Sequence, residues 1–380
     1  MKIIIKVFTT MLVVVLCSQC KKDIEPDPIV TIKDGNFLNA LLALGADKNG
    51  DGNISIAEAE MITSLSLNMA SISDMEGIEA FVNLDTLRCG WNGITSLDVS
   101  NNTALMYLYC SGNQLTTLDV SKNTALQNLS CDSDELTSLD ISNNTLLTVL
   151  LCGDNKLTSL DVSNIALLTH LDCYINQLIN LDISNNTALE KLWCSTNQLT
   201  SLDVSNNTAL ESLWCYENLL TNLDVSNNIA LDWLSCQTNQ LSSLNVSNNT
   251  ALNELTCGDN QLSSLDVSNN IALKWLSCHT NQLSSLNVSK NTLLTRLECM
   301  SNQLTSLDVT KNNALNWLDC RGNQLTRLDI SANTKLANLI LTYMPSLYKV
   351  CVWIMPFPPT GVTVDKTGSP NVFFTTDCSK

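Results

Sequence analysis

The chain has 380 residues, 44% of them apolar and 5% aromatic, and its 20 Lys and Arg against 37 Asp and Glu give a formal net charge of −17. With a pI near 4.3 it lacks the basic surface that binds nucleic-acid phosphates. So apolar a composition also argues against disorder, and two histidines leave little for histidine-based catalysis. We therefore expect a binding or scaffolding protein and not an enzyme.

Residues 1–20 predict a signal peptide. Two lysines and an apolar run ending at Leu16 have the length of a leader core and are too short to remain as a membrane span. Cys17 and Cys20 follow, and then a charged, Pro-containing linker over residues 21–34. This junction resembles the lipidation site of bacterial lipoproteins, and Cys20 followed by charged residues resembles the surface-export pattern of the Bacteroidetes type.

The lipoprotein resemblance implies a lipid anchor on Cys20, with Cys17 as the second choice, and a location on the outer membrane at the cell surface. An ordinary cleaved leader with incidental cysteines is the alternative.

Residues 35–61 predict a calcium-binding cap of the EF-hand type. An apolar segment at helical spacing precedes a loop with oxygen donors at positions 1, 3, 5, 7, 9 and 12 and a glycine at position 6. A turn rich in Asp, Asn and Gly without metal is the alternative. A lone loop of this kind must pack its apolar face elsewhere, and the following repeats offer that surface. The expected Ca²⁺ ligands are Asp47, Asn49, Asp51, Asn53, Ser55 and Glu58.

The central part of the chain is a repeat, because twelve cysteines lie 21 residues apart without a slip. They are Cys89, Cys110, Cys131, Cys152, Cys173, Cys194, Cys215, Cys236, Cys257, Cys278, Cys299 and Cys320.

Each unit follows the pattern L-x-x-L-x-L-x-x-N-x-L, as in residues 105–115, with cysteine at the third leucine. The chain thus resembles the leucine-rich-repeat family, and its 21-residue unit is similar to the internalin-like repeats of bacterial cell-surface proteins. That resemblance implies an α/β solenoid over residues 62–343: a right-handed superhelix with a parallel β-sheet on its concave face. We count about fourteen turns.

Alternation along each short strand predicts which side chains are buried. Leu108 and Cys110 share one face of a strand and, with Leu115, Leu118 and Val120, should form the stacked interior. In-register cysteines would lie about 4.8 Å apart with parallel Cβ vectors, a poor geometry for disulfides, so we expect free thiols. The recurring Asn of L-x-x-N should satisfy backbone groups, and a recurring Asp should face solvent on the opposite side.

Tyrosine and tryptophan concentrate at the outward strand positions. These positions hold nine of the chain's thirteen Trp and Tyr residues and no Phe, which indicates a surface that meets a partner. Aromatic residues that merely stiffen an exposed sheet are the alternative. The expected ligand-binding residues are Tyr107, Tyr109, Tyr174, Trp193, Trp214, Tyr216, Trp233, Trp275 and Trp317.

Residues 344–380 predict a C-terminal cap. Four prolines interrupt the repeat, and Cys351 and Cys378 are the only cysteines of this tail. In an exported protein they should form a disulfide that ties the segment 351–353 to the strand-like run 372–374.

These features favour a monomeric cell-surface lipoprotein that binds a protein or adhesion ligand on its concave face. A polysaccharide stacked on Trp233, Trp275 and Trp317, in a nutrient-capture system, is the alternative. The sequence does not identify the ligand.

Overall fold

The computed structural model describes residues 27–378, so both candidate lipidation cysteines, Cys17 and Cys20, lie outside the described residues. The chain forms a solenoid in which fifteen three-residue strands pair in parallel to make one continuous sheet. The predicted fold class is confirmed, with one turn more than we counted. Within residues 27–378 no helix is long and apolar enough to cross a bilayer.

The helices are few and lie near the N-terminus: α1 (Gly35–Ala43), α2 (Ile56–Glu60) and one 3-10 turn (Ile78–Ala80). The strands of the main sheet are β1 (Ser64–Ser66), β2 (Thr86–Arg88), β3 (Tyr107–Tyr109), β4 (Asn128–Ser130), β5 (Val149–Leu151), β6 (His170–Asp172), β7 (Lys191–Trp193), β8 (Ser212–Trp214), β9 (Trp233–Ser235), β10 (Glu254–Thr256), β11 (Trp275–Ser277), β12 (Arg296–Glu298), β13 (Trp317–Asp319), β15 (Asn338–Ile340) and β17 (Thr363–Asp365). A second parallel sheet contains β14 (Arg327–Asp329), β16 (Lys349–Cys351) and β18 (Phe373–Thr375).

The interior is built from the columns that the repeat predicts. Leu108 pairs in register with Leu129, and each 21-residue turn buries the same side chains as its neighbours. Leu108, Cys110 and Leu115 are fully buried. The twelve periodic cysteines are buried and free, as expected, and burial raises the pKa of a thiol such as Cys194 to about 12. They therefore pack as small apolar side chains.

Buried asparagines of the L-x-x-N column hold each turn that leaves the sheet. The Nδ2 of Asn197 donates to the carbonyl oxygens of Cys173 and Cys194 at 3.0 and 3.2 Å, and its Oδ1 accepts the N–H of Leu178 at 3.0 Å. One side chain thus satisfies backbone groups of two turns, which is the role predicted from the pattern.

A second column of buried asparagines lies on the convex side, where turns replace helices. Asn207 is fully buried, and its Nδ2 donates to the carbonyl oxygens of Ile183 and Asn186 at 3.0 and 2.8 Å. The aspartates of this side are exposed, as expected, except for the half-buried Asp329, and Asp203 accepts the N–H of Ser205 at 2.9 Å. Hydrogen bonds from Ser205 lower the pKa of that carboxyl.

Both ends of the solenoid are covered. At the N-terminal end, Phe37 of α1 is fully buried with its ring centroid 6.4 Å from that of Phe81. At the C-terminal end, β17 extends the main sheet beyond residue 343. A disulfide joins Cys351 to Cys378, with 5.4 Å between the Cα atoms, so the predicted pairing is confirmed.

Candidate functional site

The outward face of the main sheet has three rows of side chains. Row 1 holds the first residue of each strand, row 2 the third residue, and row 3 the residue directly after each column cysteine. Every aromatic residue expected to bind ligand lies in one of these rows. The strand register divides them into three groups, on β3, around β6 to β9, and along β11 to β13.

The group on β3 is separate from the others. The guanidinium carbon of Arg88 lies 4.5 Å from the ring centroid of Tyr109, and the hydroxyl of Tyr107 lies 3.4 Å from Oε1 of Gln127. Both rings are half-buried. Tyr109 therefore already has a cation on its face.

The group along β11 to β13 is a ladder of tryptophans with a cation between them. The guanidinium carbon of Arg296 lies 4.5 Å from the ring centroid of Trp275 and 5.1 Å from that of Trp317. The Arg296 side chain also pairs with Glu298 at 2.6 Å, and Nε1 of Trp275 donates to Glu298 at 3.4 Å. The chain's own arginine thus contacts the rings expected to stack on a ligand.

The central group is the largest aromatic cluster of the sheet. Trp193 and Trp214 stack with ring centroids 4.6 Å apart and an angle of 15° between their planes. Trp233 meets Trp214 edge-on at 4.9 Å, and His170 meets Trp193 edge-on at 4.7 Å. Burial lowers the pKa of His170, with a further contribution from Lys191.

A pocket of about 280 Å³ opens beside the stacked tryptophans. Row 3 supplies Tyr174 and Tyr216 on either side of the small residue Ser195, and row 2 supplies the acid at one corner. Its lining consists of Asp172, Tyr174, Trp193, Ser195, Trp214 and Tyr216.

Three polar groups of this pocket are buried without a full set of partners. Asp172 is 7% exposed and accepts the backbone N–H of Tyr174 at 3.2 Å. Ser195 is 1% exposed, and neither its Oγ nor Nε1 of Trp214 has a protein hydrogen-bond partner. Burial raises the pKa of Asp172 to about 7. The sequence predicted the aromatic residues of this pocket but not Ser195. The pattern that could have indicated it is a small residue between two tyrosines in row 3.

The predicted calcium loop has the expected turn geometry. Asp47 accepts the N–H groups of Gly50 and Gly52 at 2.6 and 2.9 Å. Both of these glycines have positive φ, a conformation that glycine adopts at little cost. Asn49 and Asp51 accept the N–H two residues further along, so the side chains at positions 1, 3 and 5 turn toward the loop.

Glu58 fastens the two ends of this loop. Its carboxylate is buried and accepts the N–H groups of Lys48, Asn49 and Ser55 at 2.7, 3.0 and 2.9 Å. Hydrogen bonds, the one from the Ser55 backbone first, lower its pKa to about 2. Within residues 27–378, the carboxylate oxygens of Asp47, Asp51 and Glu58 do not all come within 4.8 Å of one another.

The loop also pairs with the chain that precedes it. The N–H of Val30 donates to the carbonyl oxygen of Ile54 at 2.8 Å, and the N–H of Ile56 donates to Pro28 at 2.8 Å. Residues 28–30, just outside the cap, therefore run antiparallel to the end of the loop, with Ile29 opposite Ser55.

Several solved structures share this architecture. The functional domain of InlJ from Listeria monocytogenes, described as including a cysteine ladder, superposes with a TM-score of 0.75 at 38% identity, over 84% of this chain and 74% of that domain. An internalin, InlF, from the same species gives a TM-score of 0.68 at 24% identity, over 87% of this chain and 94% of that one. YopM from Yersinia pestis gives 0.66 at 21%, over 87% and 98%. The last two show the fold alone.

These likenesses define a leucine-rich-repeat solenoid of the bacterial type. The chain belongs to the internalin family of leucine-rich-repeat proteins. At the level of sequence, Internalin J of Listeria monocytogenes serotype 4b is 41% identical over 70 residues, which is 18% of this chain and 8% of that protein. No protein-family model matches the chain.

Proposed function

We propose that the protein is a cell-surface lipoprotein that binds a protein ligand, as a scaffold or adhesin, through the concave face of its solenoid. The observation that carries this proposal is the central cluster of Trp193, Trp214 and Trp233, half-buried and continuous with a pocket that contains unpaired polar groups. Aromatic residues with a polar atom are the typical anchors of protein interfaces. Membership of the internalin family, shown by the likeness to the InlJ domain, supports the same type of function. We propose no catalytic role.

Site-specific photo-crosslinking tests the binding face. A photoreactive amino acid replaces Tyr216 on the concave face of the full-length protein, and a matched variant carries it at Asp203 on the convex face. We expect a discrete crosslinked protein from host or community extracts only with the concave variant. Equal crosslinking from both faces would contradict the proposal.

A polysaccharide ligand stacked on Trp233, Trp275 and Trp317 is the alternative, and the ladder geometry does not favour it. Arg296 lies between two of the three rings, so a sugar would have to displace a guanidinium that is also paired with Glu298. Tryptophan fluorescence against a glycan panel distinguishes the two ligands. Saturable quenching by one polysaccharide, lost in Trp275→Ala, would support the alternative.

We propose further that the N-terminal loop holds a structural Ca²⁺. The donors would be side-chain oxygens of Asp47, Asn49, Asp51 and Glu58, the carbonyl of Asn53 and a water held by Ser55. The cation would replace the backbone N–H groups of Lys48 and Asn49 as the partner of Glu58. Calcium is plentiful outside the cell, which suits a structural site.

Calorimetry with Ca²⁺ tests the loop. We expect heat from the parent protein and from Glu60→Gln, an exposed neighbour outside the loop, and none from Glu58→Gln. Equal heats from the parent and from Glu58→Gln would remove the calcium site.

The proposed lipid anchor is tested separately. Metabolic labelling with an alkyne fatty acid should mark the parent protein and Cys17→Ser but not Cys20→Ser. Labelling of Cys20→Ser but not of Cys17→Ser would place the anchor on Cys17. A parent protein that takes up no label would indicate an ordinary cleaved leader.

A further inference from the structure

Row 2 of the sheet contains three acidic residues between β2 and β13, and two of them are paired within the chain. Glu298 binds the guanidinium of Arg296 at 2.6 Å, and Asp319 lies 3.3 Å from Nε of Arg321. The third, Asp172, has no cationic partner among residues 27–378, although it is buried like Asp319, with 7% of its surface exposed against 3% for Asp319.

Asp172 and Asp319 form a matched pair seven turns apart. Each is the last residue of its strand, and each accepts the backbone N–H two residues further on, from Tyr174 at 3.2 Å and from Arg321 at 3.3 Å. They differ in the side chain at that second position. At Asp319 the chain provides a cation, and at Asp172 it provides an aromatic ring.

The surroundings of Asp172 suit a cation that comes from outside. Tyr174 and Tyr216 flank the buried hydroxyl of Ser195, which can accept a hydrogen bond, and no cation of the described chain lies over either ring or over Trp193. Asp132 adds negative potential at Asp172. Aromatic rings and a buried carboxylate together attract an ammonium or guanidinium group strongly when water is excluded.

The pocket is small compared with sites for whole ligands. Its volume of about 280 Å³ lies below the usual range for sites that enclose a whole small molecule, of about 300 to 1,000 Å³. A carboxylate buried without a partner is costly, whereas one paired with an entering cation and hydrogen-bonded is not. The site is therefore incomplete until a positive group enters.

We propose that this pocket receives a basic side chain, lysine or arginine, of the protein ligand. The ammonium or guanidinium pairs with the Asp172 carboxylate in the place that Arg321 takes beside Asp319, while the aliphatic stem lies against the aromatic wall. This inference rests on the proposed function and names the chemistry by which the concave face selects its partner.

Proton release makes the interaction dependent on pH. The pKa of Asp172 is raised to about 7 by burial, so the empty pocket is largely protonated below that pH, and an entering cation requires the carboxylate. Few other ionisable groups surround Asp172. Of the flanking strands, β5 has no ionisable side chain and β7 has Lys191. On β6 itself, burial lowers the pKa of His170, and burial raises the pKa of Tyr174, which follows that strand. Asp132 remains the principal nearby charge. Affinity for a basic group should rise from pH 6 to pH 8.

Titration with a single-lysine peptide tests the proposal. The probe is Ac-Gly-Lys-Gly-NH₂ at physiological salt, its control is the same peptide with acetyl-lysine, and binding to the full-length protein is followed by tryptophan fluorescence and calorimetry. We expect at least tenfold weaker binding for acetyl-lysine and for Asp172→Asn, a variant that keeps the side-chain shape. Asp319→Asn, the matched control, should bind as the parent does.

A second variant copies the paired site. Tyr174→Arg places an arginine two residues after Asp172, as Arg321 follows Asp319, and should block the peptide without unfolding the chain, as checked by circular dichroism. Undiminished binding of the lysine peptide by Asp172→Asn and by Tyr174→Arg would overturn the inference. So would a parent protein that binds neither the lysine peptide nor the same peptide with arginine in place of lysine. Asp172→Asn is also introduced into the variant with the photoreactive residue at position 216. If that double variant crosslinks the protein partner as well as the single variant does, the pocket assignment fails and the scaffold function stands. If the variant with the photoreactive residue at position 216 and an intact Asp172 crosslinks no protein at all, the scaffold function itself fails.

Discussion

Asp134 accepts a hydrogen bond from the backbone N–H of Asn113 at 3.1 Å, but as a carboxylate it cannot donate as the asparagines of its column do. Its Oδ1 also accepts the N–H of Leu115 at 3.0 Å, while its Oδ2 is buried without a protein partner. The equivalent Asn155 donates to the carbonyl oxygens of Cys131 and Cys152. Asp134 thus interrupts a continuous column of side-chain donors.

Asp134→Asn should therefore stabilise the protein. Burial raises the pKa of Asp134 to about 6, above the value of about 3.9 in an unfolded chain. The folded state then binds more protons between pH 4 and pH 6, so this residue's contribution to stability falls as pH rises through that window. We expect the variant to gain about 1 to 3 kcal/mol in the free energy of unfolding at pH 7.5.

Urea unfolding at pH 4.5 and pH 7.5 measures this effect. The gain of the variant over the parent should be larger at the higher pH. Asp203→Asn is the control, because that carboxyl is exposed with a lowered pKa, and it should not stabilise. An Asp134→Asn protein no more stable than the parent at pH 7.5 would show that the interrupted column costs nothing.

The convex asparagines predict a large difference between two neighbours. Asn207→Ala leaves the buried carbonyl oxygens of Ile183 and Asn186 without their donor and should cost about 2 to 4 kcal/mol. Asn206 is exposed and donates once, to Ser184 at 3.2 Å, so Asn206→Ala should cost less than about 1 kcal/mol. Chemical denaturation of both variants under one condition makes the comparison, and equal losses would contradict the structural role of Asn207.

Much of this architecture follows from the sequence because the repeat constrains it twice. The 21-residue period fixes which side chains share a column, and alternation within a strand fixes which column faces inward, so Leu108, Cys110 and Val120 were predicted as buried, correctly. The 21-residue period likewise predicted that the Asn of L-x-x-N bonds to backbone groups in every turn. The disulfide followed from counting cysteines outside the repeat.

The convex asparagine column was missed, although it has a signal of its own. Asn207 recurs at the same period as the cysteines, with Ile165 as its exception, but it lies beside the exposed Asn206, and period alone does not tell a buried amide from a solvated one. The Asp172 pocket was missed for a different reason. The pocket stands out because Asp172 lacks the arginine that follows Asp319 two residues later. That difference has a meaning only once Arg321 is seen to pair with Asp319.

The cysteine column predicts a protein whose periodic thiols do not react in the folded state. Burial raises the pKa of Cys194 and of Cys236 to about 12, so the reactive thiolate is scarce at neutral pH, and the fully buried sulfurs are also shielded from reagents. Brief alkylation followed by peptide mapping should leave all twelve unmodified in buffer and modify them in guanidinium chloride. Labelling of Cys194 in the native protein would contradict the buried column.

Ile175 is held in a left-handed backbone conformation, with φ of 45°, although its side chain is β-branched. Most turns place a residue with positive φ here, and Gly112 and Gly322 occupy the equivalent position in two others. A β-branched residue is strained in this region, and asparagine tolerates it better. Since Ile175 is 43% exposed, its replacement loses little buried apolar surface.

Ile175→Asn should consequently raise the free energy of unfolding by about 1 kcal/mol. The matched control is Ile179→Asn, an exposed isoleucine four residues away whose φ is not positive, and it should be neutral or slightly destabilising. Thermal and urea unfolding of the two variants beside the parent separate backbone strain from a general benefit of polar substitution. If both variants gained equally, relief of strain at Ile175 would not be the cause. If only Ile175→Asn gained, the left-handed turn residues of the other repeats would be further positions for stabilisation, beginning with β-branched Thr196, whose φ is 54°.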